Sequence, residues 1–245
     1  MIFRSPQESE LSLEKKNFKT LEFLIYRGFR LLLLPLGRTL SMHIAIRLHW
    51  IFRHLAIAVS SNKYGVDFLN SRSAIVQGAF LEKYVLEGNS VVDVACGTAR
   101  YWPAISLIND VTYLGIDSSP LHISTNVKTH PDAQFILANA LDDGVIPKCD
   151  VIIASHFLEH LDHPDAFLIR VRQLCGKLII EVPDFFSDPI NTVALLSNAP
   201  WWTDRDHRRE YSERNLEALL FKCGYAIVDK KISGGTLAVV ACSIQ

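Results

Sequence analysis

Seven short apolar runs punctuate the chain from residue 91 onward, at 91–95, 111–116, 133–137, 150–154, 177–182, 225–231 and 236–242. They are five to seven residues long and rich in Val, Ile, Phe and Tyr, which is the length and composition of buried strands. Stretches with helical spacing lie between most of them, at about 101–108, 120–129, 164–174 and 212–223, and a further one at 71–86 ends on Gly88-Asn89. Strands alternating with helices require right-handed crossovers, and hence a largely parallel sheet covered on both faces. The last two runs are separated only by Ser233-Gly234-Gly235, too little chain for a crossover helix, so the final strand has to return antiparallel as a hairpin. The expected fold is therefore α/β and doubly wound, a mostly parallel seven-stranded sheet over residues 64–245, preceded by a helical extension at 1–63.

Charge separates the two regions. Residues 1–63 hold ten Lys and Arg against four Asp and Glu, a net of +6, while the remainder holds fifteen against twenty-two, a net of −7. Between Phe23 and Lys63 there is no acid, and six basic residues (Arg27, Arg30, Arg38, Arg47, Arg53 and Lys63) stand among Leu, Ile, Phe and Trp. Two readings suit that composition. The helices either pack on the domain, with His43, Arg47 and His54 as a narrow polar stripe, or they lie on an anionic membrane surface as a basic amphipathic element. The acidic remainder offers no broad positive track, so no nucleic-acid partner is expected. The five cysteines form no C-x-x-C pair, the start MIFRSPQESE lacks the order of a signal peptide, and no apolar run approaches about 18 residues. A cytoplasmic location is expected, with peripheral membrane contact through residues 23–63 as the open alternative.

The chemistry concentrates at strand ends. The stretch SVVDVACGTAR places Asp93 inside the first strand and Ala95, Gly97 and Ala99 in the turn after it, where small residues let backbone approach a ligand. Asp117 ends the second strand, twenty residues after Gly97, where a carboxylate can accept both ribose hydroxyls. The three glycines of a dinucleotide site are missing, which speaks against a nicotinamide-dependent oxidoreductase. The D-x-A-C-G-T-A order followed by Asp117 resembles the class I S-adenosylmethionine-dependent methyltransferases, and the resemblance covers roughly residues 70–245. It implies a seven-stranded sheet ending in a hairpin and S-adenosylmethionine as cofactor. It also implies cofactor contacts from Asp93, Ala95, Cys96, Gly97, Arg100, Asp117, Ser118, Asn139, Ala140, Leu141, Ser155 and His156. Alanine in place of the family's glycines at 95 and 99 is expected to cost little, provided neither position needs a positive φ. Asn139 stands where the family has an acid that recognises adenine, with a plain turn asparagine as the alternative.

After the fourth strand the chain reads Ser155-His156-Phe157-Leu158-Glu159-His160-Leu161-Asp162-His163-Pro164, which resembles the family's L-E-H segment. Its His156-x-x-Glu159-His160 also matches an inverted zinc-protease pattern. The strand before it and the proline after it leave too little helix for that chemistry. Glu159 and His160 are expected to be a hydrogen-bonded pair anchoring the loop beneath the cofactor, and no required metal is expected, with a divalent cation on these side chains as the alternative. Trp201, Trp202 and Thr203 are expected to wall an acceptor pocket. Ser212 is a natural N-cap. His207 is the candidate proton acceptor or substrate contact, with His156 beside it, and a structural histidine is the alternative reading of His207. Together these features point to methyl transfer onto a small acceptor of lipid, quinone or glycosyl-lipid kind. The rival is a non-catalytic S-adenosylmethionine-binding or partner subunit on the same fold.

Overall fold

The computed structural model describes residues 23–25, 27–64, 80–196, 204, 206–233 and 235–244. The chain forms two compact units, one of residues 1–54 with 193–200 and one of residues 55–192 with 201–245. In the first, residues 27–33 are helical, a 3-10 turn follows at Leu34–Leu36, and Gly37 at φ 77° turns the chain into helix α1, Arg38–Tyr64, whose residues after His54 belong to the second unit. The Ser41 hydroxyl lies 2.6 Å from the Leu33 carbonyl and 2.7 Å from that of Gly37, so it can donate to either oxygen at the break in the helix, and the Gly37 carbonyl also accepts the Ser41 N–H at 3.1 Å. Phe23, Leu24, Leu31 and Leu32 are exposed, as are Arg27, Arg30, Arg38 and Arg47. No described helix is long and apolar enough to cross a membrane.

The second unit is built on strands β1 (Ser90–Val94), β2 (Thr112–Asp117), β3 (Gln134–Leu137), β4 (Cys149–Ser155), β5 (Cys175–Pro183), β6 (Tyr225–Ser233) and β7 (Thr236–Ser243). Their order is β3-β2-β1-β4-β5-β7-β6, parallel except for β7, which runs antiparallel to both of its neighbours. The expected hairpin is therefore present. Strand order reverses between β1 and β4, and the crevice outside their carboxyl ends is where such sheets bind ligands. Alternation divides the core: Val92, Val94, Ile152 and Ile180 pack on one face, Val91, Tyr113, Val151 and Ile153 on the other.

The helices of this unit are α2 (Trp102–Ile105), α3 (Pro120–Thr129), α4 (Pro164–Val171) and α6 (Glu213–Lys222), while the residues of α5 (Pro189–Leu196) divide between the two units at Val193. Helix α2 is shorter than the expected 101–108, and α5 falls in a segment that periodicity left without an element. Of the expected helix at 71–86, residues 80–84 are helical and 71–79 lie outside the described residues. Ser212 caps α6 as expected: its hydroxyl accepts the Asn215 N–H at 3.3 Å, and the Asn215 side chain accepts the Ser212 N–H at 2.7 Å.

Candidate active site at the strand ends

The turn after β1 is left-handed at three alternate residues, Ala95, Gly97 and Ala99, each at φ 53°. The proviso attached to the two alanines is thus not met. An alanine in this region costs on the order of 1 kcal/mol, and the turn holds it because its ends are fixed. The Cys96 N–H donates to the Ile116 carbonyl at 3.0 Å, and the Ala99 N–H to the Cys96 carbonyl at 2.8 Å. From α3, the buried Asn126 amide donates to the Gly97 carbonyl at 2.8 Å, a contact the sequence reading missed. A Cβ built on Gly97 would meet no atom within 4 Å, so the backbone there is open to a ligand.

Asp117 closes the other side. Its Oδ2 accepts the Gly97 N–H at 2.8 Å, its Oδ1 accepts the Ser119 N–H at 2.8 Å, and His122 Nδ1 lies 3.4 Å from Oδ1. Ser118, next in the chain, is exposed, as is Arg100 after the turn. Asp93, one strand over, is buried, and Tyr113 donates to its Oδ2 at 2.7 Å. Burial pushes its carboxyl up to about 7, against the pull of the Tyr113 hydrogen bond and the Arg100 charge. Desolvation, with Asp93 and Asp117 close by, likewise holds the Cys96 thiol far above its ordinary range, so it is neutral.

Beyond β3, the Asn139 Oδ1 accepts the Leu141 N–H at 3.0 Å, the geometry of a turn asparagine, and one acceptor site remains on that oxygen. Arg170 of α4 grips the carbonyls of Ala140 and Leu141, so the loop is fixed from below while the Leu141 side chain stays exposed. At the end of β4 the Ser155 hydroxyl donates to Glu181 Oε2 at 2.8 Å, and Tyr101 donates to the same oxygen at 2.7 Å. The acid in the apolar run of β5 was the signal for this buried set. His156 follows at φ 47°, its N–H on the Glu181 carbonyl at 2.7 Å.

Glu159 and His160 lie in a 3-10 turn, Leu158–His160. They are not the hydrogen-bonded pair expected from the sequence. The Glu159 side chain is fully buried and neither carboxylate oxygen has a hydrogen-bond partner among the described residues, although His156 Nδ1 comes within 3.3 Å of Oε1. The anchoring runs through backbone instead: the Glu159 carbonyl accepts the N–H groups of Arg208 (2.8 Å) and Arg209 (3.3 Å), while the Arg209 guanidinium donates to the carbonyls of Leu161 and Asp162. These bonds bring His207 against His160, ring centroids 4.8 Å apart. His207 Nδ1 is 3.0 Å from Glu210 Oε1. Burial disfavours its charge, but the hydrogen bond to Glu210 and the nearby carboxylates outweigh that and its pKa is raised. Trp201, Trp202 and Thr203 lie outside the described residues.

A family profile described as a methyltransferase domain matches residues 72–230. The chain belongs to this methyltransferase family. It is 29% identical over 139 residues to trans-aconitate 2-methyltransferase of Escherichia coli (strain K12 / DH10B), a match covering 53% of this chain and 50% of that protein. The chain thus spans about half the length of the curated relatives it matches. Magnesium protoporphyrin IX methyltransferase from Synechocystis PCC 6803 with bound SAH superposes with a TM-score of 0.58 at 14% identity, over 80% of this chain and 99% of that one. The [4+2]-cyclase SpnF superposes with a TM-score of 0.57 at 14% identity, over 69% and 80%. At these identities the structures share the fold. S-adenosylmethionine is the family's cofactor, and the residues present fit it. The open backbone at Gly97, the Asp117 carboxylate at the neighbouring strand end and the exposed Leu137 and Leu141 side chains beyond β3 supply donors, a diol acceptor and an apolar flank.

Proposed function

We propose that this methyltransferase domain binds S-adenosylmethionine at the carboxyl ends of β1 to β4 and methylates a small, partly apolar acceptor of lipid, quinone or glycosyl-lipid kind. The observation that carries the reading is the Gly97–Asp117 contact, which ties the open turn to a carboxylate with lone pairs to spare. In this reading Asp117 accepts the ribose hydroxyls, and the remaining acceptor site of Asn139 takes the adenine amino group, with Ala140 behind and Leu141 on the ring face. The N–H groups after Ala95, Cys96 and Gly97 receive the methionine carboxylate, supported by Arg100. Asp93 steadies the turn from below, and Ser118 and Ser155 complete the rim.

S-adenosylmethionine supplies a methyl already activated on a sulfonium. What is left to the protein is alignment of the acceptor and exclusion of water. His156 and His207 are the groups on the acceptor side, and His207 is oriented through Nδ1 by Glu210. The exposed basic and apolar side chains of residues 23–47 support an acceptor that resides in, or partitions to, an anionic lipid surface.

Native mass spectrometry after mild purification tests the cofactor, because S-adenosylmethionine or S-adenosylhomocysteine should travel with the protein. Calorimetric titration with either compound is the quantitative version, and absence of binding to both rejects the reading. The rival reading is a non-catalytic S-adenosylmethionine-binding or partner subunit, since the fold alone does not impose methyl transfer. Binding without turnover across lipid, quinone and carboxylic-acid acceptors would select it.

A further inference from the structure

Helix α3 has one fully buried residue, and it is polar: Asn126 is 1% exposed, while Leu121 and Val127 of the same helix face solvent. Asparagine is a poor helix former and a costly group to bury without partners, so its place in the interior calls for a contact that offsets both. The contact is with the turn after β1. Asn126 Nδ2 donates to the Gly97 carbonyl at 2.8 Å and lies 3.8 Å from Cys96 Sγ. We infer that Asn126 is a positioning residue, whose amide holds this turn in its cofactor-accepting shape before any cofactor arrives. The role rests on S-adenosylmethionine binding at the turn; the clamp itself does not.

The turn needs such a clamp because its residues do not select the conformation themselves. Ala95 and Ala99 lie in the left-handed region, which alanine disfavours, and Gly97 between them has no preference for either hand. Side chains from two other elements supply what is missing. Asp117 of β2 accepts the Gly97 N–H at 2.8 Å and Asn126 of α3 donates to the Gly97 carbonyl, so the peptide units on both sides of Gly97 are fixed. The Cys96 side chain is seated from below: its Sγ is 3.0 Å from where a Cβ on Gly115 would stand, and glycine there leaves room for it. A site that is formed for only a fraction of the time binds with its affinity reduced by that fraction. The clamp therefore acts on cofactor affinity and not on chemistry at the methyl group, and the two alanines are what make it matter.

Calorimetric titration of the full chain with S-adenosylhomocysteine tests the role without any acceptor. Asn126→Ala should weaken binding roughly tenfold or more, the factor by which the formed turn is depopulated. Asn126→Ser should do the same, and it suits the core better because its hydroxyl can turn to the carbonyl one helical turn back. The discriminating arm repeats Asn126→Ala in a protein carrying Ala95→Gly and Ala99→Gly. There the loss should shrink to about threefold or less, because glycine accepts the left-handed conformation unaided, whereas general damage from a core substitution would cost the same in both backgrounds. Amide hydrogen exchange of the cofactor-free protein reads the turn directly: Asn126→Ala should speed exchange at Gly97 and Ala99 roughly tenfold or more while the amides of β1 keep their rates. Unchanged affinity in both Asn126 variants, an equal loss in the glycine background, or exchange rates at the turn that do not move would each overturn the role. Absence of binding by the unsubstituted protein would reject the S-adenosylmethionine reading instead, and the exchange rates would still decide whether Asn126 holds the turn.

Discussion

The Gly97 N–H donates to the Asp117 carboxylate at 2.8 Å, joining the turn after β1 to the end of β2 across two adjacent parallel strands. Ser119 donates to the other oxygen of the same carboxylate, so Asp117 both shapes the open turn and keeps acceptor capacity for a diol. Asp117→Ala should weaken S-adenosylmethionine binding by about 2 kcal/mol or more, roughly thirtyfold, through loss of charged hydrogen bonds to the ribose. Asp117→Asn keeps one acceptor oxygen and should fall between. Calorimetric titration measures both, and unchanged affinity in a folded Asp117→Ala protein would detach the ribose from this strand end.

The left-handed alanines make a second, sharper expectation. Ala95 sits at φ 53°, a region that a β-branched residue almost never occupies. Ala95→Val should cost about 2 kcal/mol or more of stability. Ala95→Gly should be close to neutral, since the strain it relieves is matched by the added freedom of glycine in the unfolded chain. Urea unfolding of the three proteins gives the comparison; equal midpoints for the Val and Gly variants would mean that the turn does not hold this geometry in solution.

Asp93 should impose a pH dependence on stability. Its folded pKa is raised from 3.8 to about 7, chiefly by burial. Between those values the native state holds a proton that the unfolded chain has released, so stability is fullest below about pH 4, falls as pH rises, and levels off above about 7. The full swing is of order 4 kcal/mol. Asp93→Asn, which keeps an acceptor for Tyr113 and carries no charge, should lack this slope and gain on the unsubstituted protein steadily from pH 4 to 7. Denaturant midpoints across that range decide it, and parallel profiles would show that the carboxyl is not held protonated.

Much of this site is written locally. The β-branched runs, the Asp93-to-Ala99 turn, the position of Asp117 and the Ser212 cap each depend on a few neighbouring residues, and the structure has all of them. What local pattern does not carry is contact between distant segments. Glu159 and His207 meet because backbone N–H groups at 208 and 209 reach the Glu159 carbonyl, and backbone donors look alike in every sequence. At 95 and 99 the family's glycines hinted at a positive φ and the alanines argued against it; the structure shows that the turn and not the residue selects the conformation. Gly115 is intermediate: a glycine inside a strand hints at a close approach. Only the fold shows that a Cβ there would stand 2.6 Å from the Phe135 ring and 3.0 Å from Cys96 Sγ.

The extension makes the last expectation. Arg27, Arg30, Arg38 and Arg47 are exposed on the same stretch as Phe23, Leu24, Leu31 and Leu32, and no acid lies between Phe23 and Lys63. Basic side chains at an anionic surface each contribute on the order of 1 kcal/mol, and apolar side chains inserted beside them add to that. Such a surface should hold the protein reversibly and release it as salt screens the charge. Flotation with anionic and neutral vesicles is the measurement. The full chain should float with anionic vesicles at low salt, remain behind with neutral ones, and lose most of its recovery when Arg27, Arg30 and Arg38 are replaced by Glu. A chain starting near Ser60 should fold and stay in solution, because the strand and helix series of the sheet begins after it. Equal flotation of the charge-reversed and unsubstituted proteins, or a truncated chain that cannot fold, would mean that these helices serve the protein core and not a membrane surface.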